Sequence, residues 1–436
     1  MTQGFSTRAI HAGTAPDPVT GSRATPIHQT TSYVFRDSDH ASKLFALQEF
    51  GNIYTRIGNP TTGALEDRLA NLHGGTAAVA ASSGHGAQLL ALHVLLEPGR
   101  NVVAAKQLYG GSINQFAHGF RKFGWEVKWA DINDPASFEA AIDANTRAVF
   151  TESLANPGGI VTDIEAIAKI AARHGIPYIV DNTLASPYLW RPLEHGANIV
   201  VESLTKFVGG HGNSIGGIVV DGGNFDWLAH KAKFPTLTTP QAFYNDLVFG
   251  ETFGALPLGP DGANVNIAFA IATRAFSLRD LGPALSPFNA FMILTGSETL
   301  PLRMDRHNAN ALAVAKHLKA HPKVGWVRYA GLPDDPGHTL AKKYLPKGAG
   351  AVFTFGLKGG HAAGVKLVSA VKLLSHLANV GDTRSLIIHP ASTTHSQLSD
   401  AQKAAAGAAP DTVRLSIGIE DVADIIADLD QALASL

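Results

Sequence analysis

Four side chains have the type and surroundings that chemistry on a small molecule needs: Lys206, Asp181, Tyr109 and Arg414. Lys206 sits in Glu202-Ser203-Leu204-Thr205-Lys206-Phe207-Val208-Gly209-Gly210-His211-Gly212, just past the apolar run Ile199-Val200-Val201. A lysine at the end of a buried strand is poorly solvated, which favours the neutral, nucleophilic amine. Such an amine suits a Schiff base, and the commonest cofactor that uses one is pyridoxal 5′-phosphate. Ser203 and Thr205 can donate hydrogen bonds to its phosphate. Taken alone, Ser-x-Thr-Lys is more often a surface lysine at a strand end. Its companions decide the matter.

Asp181 closes the run Pro177-Tyr178-Ile179-Val180, where a buried carboxylate is costly without a partner. A pyridinium N–H would be one; a turn or helix-capping aspartate is the alternative. Tyr109, in Leu108-Tyr109-Gly110-Gly111-Ser112, follows another strand. It can stack on a flat ring and offer its hydroxyl for proton transfer, or be a rim or core tyrosine. Arg414 interrupts the apolar strand Thr412-Val413-Arg414-Leu415-Ser416-Ile417. Its fork matches a substrate carboxylate, unless a structural ion pair takes it. Ser82-Ser83-Gly84-His85-Gly86 ends a strand and opens a helix, whose N-terminal N–H groups form a ready anion site. Leu89 stands where a dinucleotide fingerprint needs its third small residue, so a phosphate cradle is the better reading.

Strands must carry these residues to one place. The sequence predicts strands over Ala77–Ala81, Asn101–Ala105, Glu126–Ala130, Ala148–Glu152, Tyr178–Asp181, Ile199–Glu202 and Gly217–Val220. Amphipathic helices such as Ala87–Leu96 and Ile164–His174 lie between them. That alternation predicts an α/β fold with a mainly parallel sheet, whose ligands bind beyond the carboxyl ends of the strands. Residues 222–287 read as irregular. A long helix from Thr299 to Leu318 leads into a smaller α/β unit, with strands Gly325–Tyr329, Ala351–Leu357 and Val413–Ile417 and helices Ala362–Leu373 and Val422–Leu433. The first sixty residues show little core-forming pattern and read as an extended arm packed on another subunit, because Ile53, Tyr54 and Ile57 are costly to leave in water.

Composition narrows the function. The 436 residues carry a net charge of −1, which offers no electrostatic footprint for nucleic acid. There is no cysteine, which excludes disulfides, zinc–thiolate sites and a thiol nucleophile. The nineteen histidines include no His-Glu-x-x-His, and His389 and His395 lack an acidic neighbour, so no metal site is expected. No apolar run spans a bilayer and the N-terminus lacks a signal-peptide core; a cytoplasmic protein is expected.

The chain resembles the Cys/Met-metabolism family of pyridoxal-phosphate enzymes along nearly its whole length. Four stretches besides the Lys206 motif carry the resemblance: Gly51-Asn52-Ile53-Tyr54-Thr55-Arg56-Ile57-Gly58-Asn59-Pro60-Thr61, Leu377-Ala378-Asn379-Val380-Gly381-Asp382-Thr383-Arg384-Ser385-Leu386, His389-Pro390-Ala391-Ser392-Thr393-Thr394-His395 and Arg414-Leu415-Ser416-Ile417-Gly418. The insertion around 229–287 and Asn379-Val380-Gly381-Asp382 look like the sulfhydrylase branch. Gly111 stands where the γ-lyase branch carries a cysteine.

The resemblance implies a type I, aminotransferase-like fold with an arm (1–61), a cofactor domain (62–298) and a small domain (299–436). It implies that Lys206 holds the cofactor, Asp181 pairs with the ring nitrogen, Tyr109 stacks on the ring and Asn156 faces the phenolic oxygen. Gly84, His85, Ser203 and Thr205 would bind the phosphate, with Tyr54 and Arg56 reaching in from a neighbouring subunit of a homo-oligomer, expected to be a tetramer. Arg414, the Ser385 region and Tyr54 would hold the substrate. The implied reaction is γ-replacement of the acetate of O-acetyl-L-homoserine by sulfide. O-succinylhomoserine sulfhydrylase, cystathionine γ-synthase and γ-lyase chemistry are the alternatives.

Overall fold

A computed structural model describes residues 3–394, 396, 403 and 407–436; His395 lies outside them. The chain opens with α1 (Phe5–His11) and α2 (Ser38–Phe45), two helices within the stretch expected to be extended. Local sequence alone does not make α1. The fully buried Arg68 donates to the carbonyls of Ile10 and Ala12 and so ties down its C-terminal end. The segment between α1 and α2 does run without regular structure, and Tyr33 N–H and Thr55 N–H cross-bond Ile53 and Thr31.

Helix α3 (Pro60–His73) starts where Pro60 occupies a first-turn position and Asn59 caps, its side chain accepting from Thr61 N–H. Strand β1 (Ala77–Ala81), helix α4 (Gly84–Leu95), β2 (Asn101–Ala105), β3 (Glu126–Ala130) and β4 (Thr146–Glu152) follow. After a small ribbon, β5 (Leu154–Ala155) with β6 (Ile160–Val161), come β7 (Tyr178–Asp181), β8 (Ile199–Glu202) and β9 (Gly217–Asp221). Seven of these form one sheet in the order β1-β9-β8-β7-β4-β2-β3. All run parallel except β9, which pairs antiparallel with β1 and β8. The central strands are buried on both faces, as continuous apolar runs such as Ile199-Val200-Val201 require, while the edge strand β3 is part exposed.

One polar pair crosses this core. His73, the last residue of α3, lies 2.8 Å from Glu202 at the end of β8, both side chains fully buried. Burial pushes His73 down to about 3 and holds Glu202 well above the carboxylate range, so burial disfavours charge on both.

Residues 222–287 are more helical than the sequence suggests. They contain Phe249–Phe253, Ala268–Ala272 and a π-helical turn over Thr273–Leu278. Aromatic packing orders them: Phe225, Trp227, Phe234 and Phe269 form one contiguous cluster that no helical periodicity signals. A long helix, Leu300–Ala320, then leads to β10 (Val324–Arg328), β11 (Val352–Leu357), β12 (Ser375–His376), β13 (Leu386–Ile388) and β14 (Thr412–Ser416). These form a second sheet, order β10-β11-β14-β13-β12, antiparallel except for β12 with β13. The last two were not expected; at two and three residues they are too short for an alternation pattern to show. Among the described residues no helix is long and apolar enough to cross a membrane.

Candidate active site

The carboxyl ends of β1, β2, β4, β7 and β8 open onto one cavity of about 260 Å³, closed on the far side by the second sheet. Lys206 lines it, four residues past Glu202, the last residue of β8. Its Nζ donates to Asn379 Oδ1 at 2.6 Å. Burial, then the nearby positive charge of Arg414, pulls the amine down to about 8. A minority of Lys206 is therefore neutral near physiological pH, far more than for an exposed lysine, and that is the form that attacks an aldehyde. The glycines after it have a steric reason: Gly210 adopts φ +73°, and a Cβ there would run into Arg303, which donates to the carbonyls of Phe207 and Val208.

Asp181 ends β7 in the same cavity. Burial raises its carboxyl, and hydrogen bonds from Thr183 and Gln88 oppose that. Thr183 donates twice to Oδ1, and Gln88 Nε2 donates to Oδ2 at 3.1 Å. A turn aspartate would use only the first set. The Gln88 contact, from α4, aims the carboxylate into the cavity, where a cationic N–H would relieve its burial.

Helix α4 presents its N-terminus to the same space. Ser83 caps it by accepting from Gly86 N–H at 3.1 Å, which leaves the N–H groups of Gly84 and His85 for an anion. Gly84 is required there, because a Cβ would press on Ser203 at 2.7 Å. Ser203 and Thr205 complete the rim of this corner; the Thr205 hydroxyl is engaged with Gly216 on both sides. Tyr109 stands at the mouth, 40 % exposed, its ring centroid 5.9 Å from that of His85. It is a rim tyrosine in this chain.

Arg414 reaches the cavity from β14, paired with Thr354 and Ile388. It is 4 % exposed and, among the described residues, makes no salt bridge. Nη1 donates to Asn156 Oδ1 and Nη2 to Asn379 O, each at 3.1 Å, while Nε has no partner. Burial draws the guanidinium down to about 10. The ion-pair alternative is thus excluded among the described residues, and a buried cation faces the cavity with a donor to spare.

Three expected residues do not line this cavity. Ser385 is fully buried behind it; its hydroxyl donates to Glu420 at 2.9 Å and accepts from Gly418 N–H. Ala378, Asn379 and Val380 of the same segment face the cavity instead. Tyr54 and Arg56 lie in a separate surface depression with Gln29, Thr30, Ser286 and Pro287, the Arg56 guanidinium 5.4 Å over the Tyr54 ring and donating to Arg279 O. Sequence reasoning gave no role to Gln88, Glu152, Thr183 or Asn379. Gln88 had a signal: it stands one helical turn after Gly84, on the face of α4 that meets the cavity. The other three come from loops or strand ends, where spacing says nothing about direction.

A nucleophilic amine, a buried carboxylate, a helix N-terminus and a buried guanidinium around one cavity define an enzyme that binds a phosphorylated aldehyde and an amino acid. The chain belongs to the Cys/Met metabolism PLP-dependent enzymes, whose family model matches residues 6–434. It is 52 % identical to an O-acetyl-L-homoserine sulfhydrylase of Leptospira meyeri, over 99 % of this chain and 96 % of that one. It is 49 % identical to a homocysteine synthase of Schizosaccharomyces pombe, over 98 % of each. A crystal structure from Campylobacter jejuni that contains N′-pyridoxyl-lysine-5′-monophosphate superposes with a TM-score of 0.94, at 39 % identity, covering 99 % of this chain and all of that one.

The residues here fit pyridoxal 5′-phosphate. The cavity offers a depressed lysine for the aldehyde, a buried carboxylate for the ring N–H, and free backbone N–H groups with the Ser203 hydroxyl for the phosphate.

Proposed function

We propose that this enzyme replaces the acetate of O-acetyl-L-homoserine with sulfide, giving L-homocysteine and acetate. The observation that carries the reading is Arg414, a buried guanidinium with no acid partner among the described residues, sharing the cavity with Lys206. It supplies the site for an α-carboxylate, and the relatives' names supply the leaving group and product.

Bound pyridoxal 5′-phosphate supplies an electron sink for the charge left when a proton leaves Cα or Cβ. Lys206 holds it and, once free, moves a proton at Cα. Asp181 accepts the ring N–H and keeps it protonated. Gly84, His85 and Ser203 bind the phosphate, and Tyr109 covers the ring face. Arg414 orients the substrate carboxylate, with Asn156 fixing its fork. Loss of the Cα and Cβ protons breaks the C–O bond at Cγ and releases acetate; hydrosulfide then adds to the unsaturated Cγ, and protons are returned to Cβ and Cα.

The site is shared between subunits of a homo-oligomer in this reading. Tyr54 and Arg56 lie away from their own chain's cavity, and the arm exposes Val34, Phe45 and Phe50 to solvent in the single chain, at 98 %, 59 % and 58 %. A second copy accounts for both: it covers the arm and receives Arg56 at its phosphate.

The test pairs O-acetyl- and O-succinyl-L-homoserine with sulfide, methanethiol and cysteine, measuring homocysteine or thioether and the released acid. The highest kcat/KM is expected for the acetyl ester with sulfide. Preference for the succinyl ester, or ammonia release without a thiol, would overturn the reading.

A further inference from the structure

Glu152 is the last residue of β4, register partner of Asp181 on β7, and 5 % exposed. Among the described residues it has no cationic partner. Its two oxygens are used separately. Oε1 accepts the backbone N–H of Tyr109 at 2.6 Å, and Oε2 accepts that of Asn156 at 2.9 Å. The first N–H belongs to the loop after β2, the second to the turn between β5 and β6. One carboxylate therefore ties together two loops that nothing in the local sequence connects.

The grip continues through side chains. Asn156 Oδ1 accepts from Arg414 Nη1, Arg414 Nη2 donates to Asn379 O, and Asn379 Oδ1 accepts from Lys206 Nζ. Glu152 thus anchors one end of a hydrogen-bonded path that runs from the ring-covering tyrosine to the reactive lysine. Holding a carboxylate in such a place is costly: burial, then repulsion from Asp181, raises its affinity for a proton. A residue retained for packing alone would be better served by an apolar side chain of the same volume.

We propose that Glu152, which lines the cavity but spends both oxygens on backbone N–H groups, is a positioning residue that sets the Tyr109 ring and the Asn156 amide against the bound cofactor through their backbones. The inference rests on the reading that Tyr109 and Asn156 flank the cofactor. Glutamine keeps the shape but turns an NH₂ toward one of the two N–H groups, so one contact becomes donor against donor. Aspartate keeps the carboxyl group but is too short to reach both.

The experiment compares wild type, Glu152→Gln, Glu152→Asp, Tyr109→Ala and the Glu152→Gln/Tyr109→Ala double variant, each loaded with pyridoxal 5′-phosphate. It reads melting temperature, borohydride-trapped cofactor at Lys206, visible circular dichroism of the bound cofactor, and kcat and KM. Glu152→Gln is expected to melt within a few degrees of wild type and to trap the cofactor fully. Its visible dichroism should weaken, and its kcat should fall by about tenfold to a hundredfold. Glu152→Asp should behave alike, and the double variant should be no worse than Tyr109→Ala. Unchanged dichroism and kcat in Glu152→Gln would overturn the proposal, as would losses that multiply in the double variant. Failure of both Glu152 variants to fold would make the residue structural and overturn it too. If Tyr109→Ala alone leaves dichroism and kcat unchanged, the placement of Tyr109 fails instead, a result separable from the others.

Discussion

Lys206 Nζ stands 2.6 Å from Asn379 Oδ1, so the amine that follows a strand of the large sheet is held by a loop of the smaller one. The contact makes the site a property of both sheets: a displacement of the second sheet moves the partner of the nucleophile.

Lys206→Ala should give a folded protein that binds pyridoxal 5′-phosphate without a reducible link and does not turn over. Absorbance before and after borohydride, with mass spectrometry of the reduced protein, checks this. Normal turnover would remove Lys206 from its role.

The amine of Lys206, drawn down to about 8, should show in the cofactor-free protein. Below that pH it is protonated and inert; above it the amine is neutral. Competitive acetylation read by mass spectrometry should label Lys206 with a midpoint near pH 8, while exposed lysines label about two pH units higher. The folded protein releases this proton before the unfolded chain does, so this group adds stability as pH rises from 8 toward the ordinary lysine value. A labelling midpoint shared with surface lysines would contradict the desolvation argument.

Asp181→Asn removes the charge that a ring N–H would meet and leaves one oxygen, so either Thr183 or Gln88 must face an NH₂. Cofactor affinity should drop and Cα proton exchange should slow by orders of magnitude, about 100-fold or more. Deuterium wash-in at Cα of a substrate analogue measures it. An unchanged exchange rate would make Asp181 structural.

Arg414→Lys should raise KM for the amino acid by about tenfold or more while leaving the sulfide dependence nearly intact, because a lysine cannot reproduce the bidentate fork. Thermal stability should change little, since no salt bridge is lost among the described residues. Equal loss for both substrates with a lowered melting point would argue for a packing role.

Arg56→Ala and Lys206→Ala should each be nearly inactive alone. Mixed under subunit exchange, each heterodimer carries both lesions in one site and neither in the other. Random re-pairing then restores about a quarter of all sites. Exchange confirmed by native mass spectrometry with no recovered activity would place Arg56 in its own subunit's chemistry and refute the shared site.

The sequence by itself determined the large sheet and the position of Lys206 just past one of its strands. Short β-branched runs such as Ile199-Val200-Val201, bounded by turn residues, read as strands buried on both faces, and their carboxyl ends carry Lys206, Asp181 and Gly84 to one edge. Strand periodicity is local, so it is legible in one dimension. Tertiary structure alone decided which of the polar residues near those ends face inward. Ser385, read as a substrate ligand, spends its hydroxyl on Glu420, whereas Asn379 six residues earlier meets Lys206. Arg68 winds α1 from 56 residues away, and Glu152 joins loops 43 and 4 residues distant. These outcomes depend on which buried donors and acceptors find partners across the fold, and that pairing is fixed by three-dimensional proximity, which sequence spacing does not encode.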